Sequence, residues 1–118
     1  MHQDIILQKA KRYAHAVYRL SKLLPKEEQF GLTSQIRRAA VSVPFNIVEG
    51  FARKSRKTEA QYLTIAYGSL KESQFIIEFA IKESYFPEAS AQHAISLGEE
   101  VARMLWVKIK TLQKHQEK

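Results

Sequence analysis

Residues 32–51 read LTSQIRRAAVSVPFNIVEGF, and the spacing of their apolar side chains decides the fold class. Apolar residues recur at three- and four-residue steps, as they do along one face of an amphipathic helix. The members of this face are Leu32, Ile36, Ala39, Ala40, Val43, Ile47 and Phe51. Pro44 lies inside the pattern, where it removes one backbone donor and crowds the preceding turn. The pattern therefore predicts one kinked helix that begins near Thr33 or Ser34.

An amphipathic segment with the same spacing precedes this helix. It runs from Asp4, the predicted N-cap, to Leu24, because Pro25 cannot continue a helix. Its apolar face comprises Ile6, Ala10, Tyr13, Val17, Leu20 and Leu24. A second stripe at the same spacing comprises Gln8, Arg12, His15, Arg19 and Lys22. This basic ridge is either a solvated face with snorkelling side chains or a surface that contacts phosphates.

Two further amphipathic segments follow residues 32–51. One begins at the capping-box pattern of residues 58–61, TEAQ, and extends to about Lys82. The Gly68-Ser69 pair within it predicts that a neighbouring helix passes close by. Pro87 suits the first turn of a fourth helix, and residues 108–118 are expected to extend into solvent. The two predicted apolar faces comprise Tyr62, Leu63, Ala66, Leu70, Ser73, Ile77, Ala80 and Ile81, then Ala91, Ala94, Ile95, Gly98, Val101, Ala102, Leu105, Ile109 and Leu112.

Four long helices with short joints predict an all-α fold, an antiparallel up-down-up-down four-helix bundle, as a single domain over residues 1–118. The chain has no cysteine, which excludes a disulfide scaffold, a thiolate zinc site and a cysteine nucleophile. That composition fits a reducing compartment, and the cytoplasm is the default expectation. The longest uncharged apolar-rich run, residues 39–48, is too short to span a bilayer, and the start lacks a signal-peptide pattern.

The net charge of +7 is unevenly distributed. Residues 1–57 hold 12 Lys and Arg against 4 Asp and Glu, whereas residues 58–118 hold 7 against 8. Four of the positive charges fall within five residues, in a predicted turn between the second and third helices: Arg53, Lys54, Arg56 and Lys57. Such a concentration favours a polyanionic partner, because Lys and Arg near phosphates release condensed counterions. An ordinary solubilising surface is the alternative.

A polar line follows the second helix and comprises Gln35, Arg38, Ser42, Asn46, Glu49 and Arg53. Because a buried charge needs a partner, Arg38 is expected to pair with Glu72 or Glu49. An enzymatic interpretation would make the two glutamates an acid–base dyad, but an arginine beside them favours permanent ionisation. The Glu-x-x-His pattern of di-metal bundles is absent, as are zinc-ligand, phosphate-loop and nucleophile-elbow motifs. The sequence therefore favours a non-enzymatic binding protein without cofactor, metal or small-molecule substrate.

Residues 30–50, FGLTSQIRRAAVSVPFNIVEG, and residues 68–72, GSLKE, resemble the two signature motifs of the four helix bundle proteins known as 23S rRNA intervening-sequence proteins, or the S23 family. The resemblance implies a bacterial four-helix bundle, often a homopentameric ring, related to the basic accessory protein of diversity-generating retroelements. It also implies that the matching motif residues serve architecture or a subunit interface: Arg38, Asn46, Glu49, Gly50 and Glu72. Phe45, where small residues are also common, is expected to pack across a subunit boundary.

Two functional hypotheses follow. The first is a cytoplasmic homo-oligomer that binds RNA or DNA, with the basic turn at residues 53–57 and the ridge residues Arg12, Arg19 and Lys22 engaging phosphates through avidity. Neither surface carries the interleaved aromatic residues of single-strand platforms, so the contacts are expected to tolerate any sequence. The second is a protein-interaction scaffold whose basic surface binds an acidic protein partner and no nucleic acid.

Overall fold

The computed structural model describes the backbone of residues 2–116 and the side chains of residues 5–114. It contains four α-helices, with a short 3-10 turn, Lys26–Glu28, between the first two. The helices are α1 His2–Ser21, α2 Leu32–Phe51, α3 Arg56–Lys82 and α4 Glu88–Gln116. The predicted all-α class is confirmed. In the described part of the chain, no helix is long and apolar enough to cross a membrane.

The four helices form a bundle of 50 × 25 × 20 Å in which each helix packs against two others. Helix α1 contacts α2 and α4, and α3 contacts the same two helices. Because short connections join consecutive helices, neighbours run antiparallel, as the up-down-up-down prediction requires. One end of the bundle therefore holds the α2–α3 connection, the start of α1 and the end of α4. We call it the α2–α3 end, and the other the opposite end.

The core follows the predicted apolar faces closely. Every predicted core residue of α1 is buried, from Ile6 to Leu24. Tyr13 lies at the centre, where its hydroxyl shares a 2.6 Å hydrogen bond with Ser73 of α3. Burial raises the pKa of Tyr13 to about 12. Gly98 of α4 makes room for the ring, since a Cβ at that position would lie 2.8 Å from Tyr13 Cε1.

The helix ends differ from the sequence predictions at both ends of α1. Helix α1 starts at His2, so Asp4 lies inside the helix and is not its N-cap. The helix ends at Ser21 rather than Leu24, because the amides of the next three residues bond to the carbonyl three residues back instead of four, which makes a tighter turn than an α-helix. In the last of these, the Leu24 amide donates to the Ser21 carbonyl at 3.1 Å. The chain then enters Pro25 without a further α-helical turn.

Helix α2 starts at Leu32, before the predicted Thr33 or Ser34, and continues through Pro44 as one helix. A carboxylate four residues upstream explains the earlier start. Glu28 Oε1 accepts a 3.1 Å hydrogen bond from the Leu32 amide, and the Gly31 cap supplies none. The other oxygen of Glu28 accepts a 2.9 Å bond from the Tyr85 hydroxyl, which links the two connections at the opposite end. That hydrogen bond raises the pKa of Tyr85.

One prediction about α3 and one about α4 were wrong, and a second about α3 holds in part. The N-cap of α3 is Ser55, whose hydroxyl accepts a 3.1 Å bond from the Thr58 amide, so the predicted capping box at residues 58–61 lies inside the helix. At the Gly68-Ser69 pair, α2 does pass close by on the Ser69 side, where the Ser69 hydroxyl shares a 2.8 Å bond with Ser42. Gly68 itself is exposed, and a Cβ there would meet no atom within 4 Å. Residues 108–116 continue α4, because the buried residues Ile109 and Leu112 hold that segment against the core.

Candidate nucleic-acid interface

The basic segment of residues 53–57 lies exposed at the α2–α3 end. Arg53 and Lys54 occupy the connection, whereas Arg56 and Lys57 are the first two residues of α3. The sequence placed all four in a turn, so this prediction was wrong for the latter two. The earlier cap at Ser55 is the reason. The positive end of the α3 dipole favours anions in the first turn, so cations there oppose the helix dipole.

Arg53 differs from the other three cations because it is held within the chain. Its guanidinium forms a 2.8 Å ion pair with Glu49 and lies 4.7 Å from the centre of the Tyr62 ring. The only other ion pair among the described side chains joins Lys9 to Glu100 at 2.9 Å. The positive charge that this segment presents to solvent without a carboxylate partner is therefore that of Lys54, Arg56 and Lys57.

The end of α4 adds further lysines to the same end of the bundle. The Tyr67 and Trp106 rings lie 5.6 Å apart and so fix the register of α3 against α4. Two helical turns beyond Trp106, the exposed Lys114 lies near the level of the first turn of α3, and Lys110 lies between them. The sequence analysis missed these lysines because the net charge of residues 58–118 is slightly negative.

The predicted ridge of α1 is exposed but does not join this surface. Helix α1 starts at the α2–α3 end and runs away from it, so Arg12 lies about midway along the bundle. Arg19 and Lys22 lie at the opposite end, roughly 25–30 Å from the start of the helix at 1.5 Å per residue. The two predicted phosphate-contacting surfaces are therefore separate.

Two of the motif residues hold α2 against α3. Asn46 is buried, and its Nδ2 donates to the Ser42 carbonyl at 2.8 Å and to the Ser42 hydroxyl at 2.9 Å. That hydroxyl shares a 2.8 Å bond with Ser69 of α3. At Gly50, a Cβ would lie 3.2 Å from Leu63 Cδ2. The motif thus contains a polar link between the two helices and a glycine that leaves room for the start of α3.

The predicted pairing of Arg38 with Glu72 or Glu49 was wrong. Glu49 pairs with Arg53, and Glu72 accepts a 3.3 Å hydrogen bond from Gln35 Nε2. Arg38 is exposed, because the side of α2 that faces α3 carries Gln35 and Ser42 while position 38 turns outward. Glu49 lies about four helical turns, roughly 20 Å, along α2 from the level of Glu72, so the two carboxylates form no dyad. Nowhere in residues 5–114 do three or more metal-ligating side chains cluster.

Apolar side chains are exposed on the outward faces of two neighbouring helices. On α2 they are Val41, Phe45 and Val48, and on α3 they are Ile65, Phe75 and Phe79. Phe45 is 61% exposed and Phe75 is 62% exposed. Gly68 falls on the same line of α3 as these residues. Groups of exposed apolar side chains on one helix face are candidate interaction sites on soluble proteins, and the sequence analysis identified only Phe45 among these residues.

The chain matches the model of one protein family, the 23S rRNA-intervening sequence protein family, over residues 2–107. The chain belongs to this family. A crystal structure of a family member has the same fold: a protein of unknown function from the S23 ribosomal protein family of Bacteroides thetaiotaomicron VPI-5482, determined at 1.70 Å. The two are 25% identical, and the match covers 93% of this chain and 99% of that one with a TM-score of 0.84. A comparison with curated proteins finds no match.

Proposed function

We propose that the chain is a non-enzymatic, homo-oligomeric accessory protein that binds RNA or DNA phosphates at the α2–α3 end of each bundle. One observation carries the proposal. Among residues 5–114, Lys54, Arg56 and Lys57 are exposed and have no carboxylate partner, and two of them occupy a helix start where the dipole opposes positive charge. Stability alone favours acidic residues at that position, so binding of an anion accounts for the basic residues better than folding does.

The arrangement suits a polymer of phosphates rather than one small anion. Lys110 and Lys114 extend the positive surface from the start of α3 along the end of α4. Each cation that neutralises a phosphate releases a counterion, so several moderate contacts add up to useful affinity at low salt. Because contacts to the phosphate backbone carry no sequence information, we expect the α2–α3 end to tolerate any base sequence.

The two exposed apolar faces support self-association of the chain. They lie on neighbouring helices of one chain, so the α3 face of one copy can cover the α2 face of the next. Such an interface between unlike faces closes into a ring when the rotation between copies divides a full turn evenly. A second copy is the occupant we propose for both faces, in a ring of five chains. The ring presents several basic ends together, which multiplies a weak single-chain affinity.

The experiment compares two variants of equal charge. Variant one carries Lys54→Gln, Arg56→Gln and Lys57→Gln, and leaves Arg53 with its Glu49 partner. Variant two carries three exposed substitutions at the opposite end: Arg19→Gln, Lys22→Gln and Lys26→Gln. Binding of each to labelled RNA and duplex DNA is measured across a salt series.

The proposal predicts that variant one binds much more weakly and that its log–log salt slope is shallower by about 2 to 3, since each of the three lost phosphate contacts removes roughly 0.7–0.9. Variant two should keep most of the affinity. Equal loss in both variants would mean that net charge alone is responsible. If the unmodified protein binds no nucleic acid at low salt, the proposal fails and a scaffold for an acidic protein partner becomes the leading explanation.

A further inference from the structure

An exposed groove between α3 and α4 combines two aromatic rings with three cations. Tyr67 of α3 and Trp106 of α4 both line it and pack against each other, with ring centres 5.6 Å apart and ring planes inclined by 46°. Trp106 is 49% exposed, although the core beneath it is filled by Leu105 and its neighbours. A tryptophan left this exposed offers a flat apolar surface to a ligand.

The cations lie directly against these rings. Lys71 Nζ lies 5.4 Å from the centre of the Tyr67 ring, and Lys110 Nζ lies 4.6 Å from that of Trp106. Arg103 lines the same groove, and Glu99 is the one carboxylate among its lining residues. The groove therefore carries a net positive charge around an aromatic centre. We call this set, Tyr67, Lys71, Arg103, Trp106 and Lys110, the aromatic groove.

Aromatic rings flanked by lysines and arginines match the chemistry of an unpaired nucleotide. A nucleobase stacks on an exposed aromatic side chain whatever the identity of the base, here in place of the lysine that lies over the ring, while the nearby cations contact the neighbouring phosphates. A duplex keeps its bases stacked on one another and cannot use such a surface. A base-stacking site at the aromatic groove would therefore favour single-stranded over double-stranded nucleic acid.

We propose that the aromatic groove is a stacking site for bases of single-stranded RNA or DNA, with Trp106 as the principal contact. The inference rests on the proposed function and narrows it to single strands. Lys110 lies beyond Trp106 on the way to the α2–α3 end, and about 15 Å of helix separates Trp106 from the end of α4. A strand stacked in the aromatic groove therefore reaches the basic α2–α3 end along the α4 lysines.

Trp106 provides the readout, because it is the only tryptophan in the chain. The full-length protein is titrated with a thymidine oligonucleotide of about 20 residues and with an abasic phosphodiester strand of equal length, and the tryptophan emission is recorded. A stacked base quenches the emission, whereas phosphate contact alone leaves it almost unchanged. The proposal predicts quenching by the thymidine strand only.

Substitutions of the two aromatic side chains test which of them stacks on a base. Trp106→Leu and Tyr67→Leu are each expected to weaken binding of a fluorescently labelled thymidine strand about tenfold, in line with the loss of one base–aromatic contact. Binding of the abasic strand should not change. Phe30→Leu removes an aromatic side chain that is 91% exposed at the opposite end, and it serves as the matched control.

The outcomes separate this inference from the proposed function. If both strands bind equally well without quenching, the stacking site is overturned while phosphate binding stands. If neither strand binds, both proposals fail. If the emission of Trp106 shifts with protein concentration in the absence of nucleic acid, the aromatic groove is a contact between copies and the stacking site is again overturned.

Discussion

The same substitution, glycine to alanine, is predicted to have opposite effects at two positions inside helices of this bundle. Alanine is favoured over glycine in a helix interior by about 1 kcal/mol. At Gly68 a Cβ would meet nothing within 4 Å, so Gly68→Ala should stabilise the single chain by most of that amount. At Gly98 a Cβ would lie 2.8 Å from Tyr13 Cε1 and 3.0 Å from Gln74 Nε2.

The Tyr13 ring cannot move aside as the Gln74 amide can, because it is fully buried and hydrogen-bonded to Ser73. Overpacking of this kind costs about 1–3 kcal/mol, which cancels or exceeds the gain in helix propensity. We therefore expect Gly98→Ala to lie about 2 kcal/mol below Gly68→Ala in free energy of unfolding. Urea unfolding of both variants at low protein concentration measures the difference. Equal stabilisation by the two substitutions would refute the packing of Tyr13 against α4.

Two further predictions concern pH and the start of α3. The pKa of Tyr13 is raised to about 12 in the folded state, so the folded chain keeps a proton that the unfolded chain loses near pH 10. The free energy of unfolding should therefore be constant below pH 10 and fall by about 3 kcal/mol at most toward pH 12. Comparing urea unfolding of Tyr13→Phe with the parent between pH 9 and about 12 isolates this effect, and parallel curves would contradict it. Ser55→Ala should lower the free energy of unfolding by about 1 kcal/mol, because the Thr58 amide loses its cap. Ser55→Asp should keep the cap but weaken nucleic-acid binding. Thermal melts of the two variants check the first part, and binding titrations check the second.

The fold was largely predictable because helical spacing of apolar residues determines which faces are buried. The α1 face from Ile6 to Leu24 and the α2 face around Val43 are buried as predicted. The helix starts were harder to predict, since they depend on single side-chain contacts. Glu28 caps α2 from four residues upstream, and Ser55 rather than Thr58 caps α3. Several hydroxyl and carboxylate groups near each helix start fit the N-cap pattern, so the sequence does not show which of them caps the helix.

The candidate site was predictable only in part. The concentration of charge at residues 53–57 is visible in the sequence, and so is the four-residue spacing of the Glu49–Arg53 ion pair. The outward direction of Arg38, by contrast, depends on where α3 lies. The aromatic groove could not be predicted from the sequence at all. Tyr67 and Trp106 are far apart in the sequence and meet only because of the register between α3 and α4, which the apolar pattern does not specify.

The most direct test of the proposed function is the binding of the purified protein to labelled single-stranded RNA, single-stranded DNA and duplex DNA across a salt series, with the oligomeric mass measured by light scattering in the same buffers. We predict an oligomer that binds single strands more tightly than duplex and loses affinity steeply as salt rises. An assembled protein that binds none of the three at low salt would contradict the account.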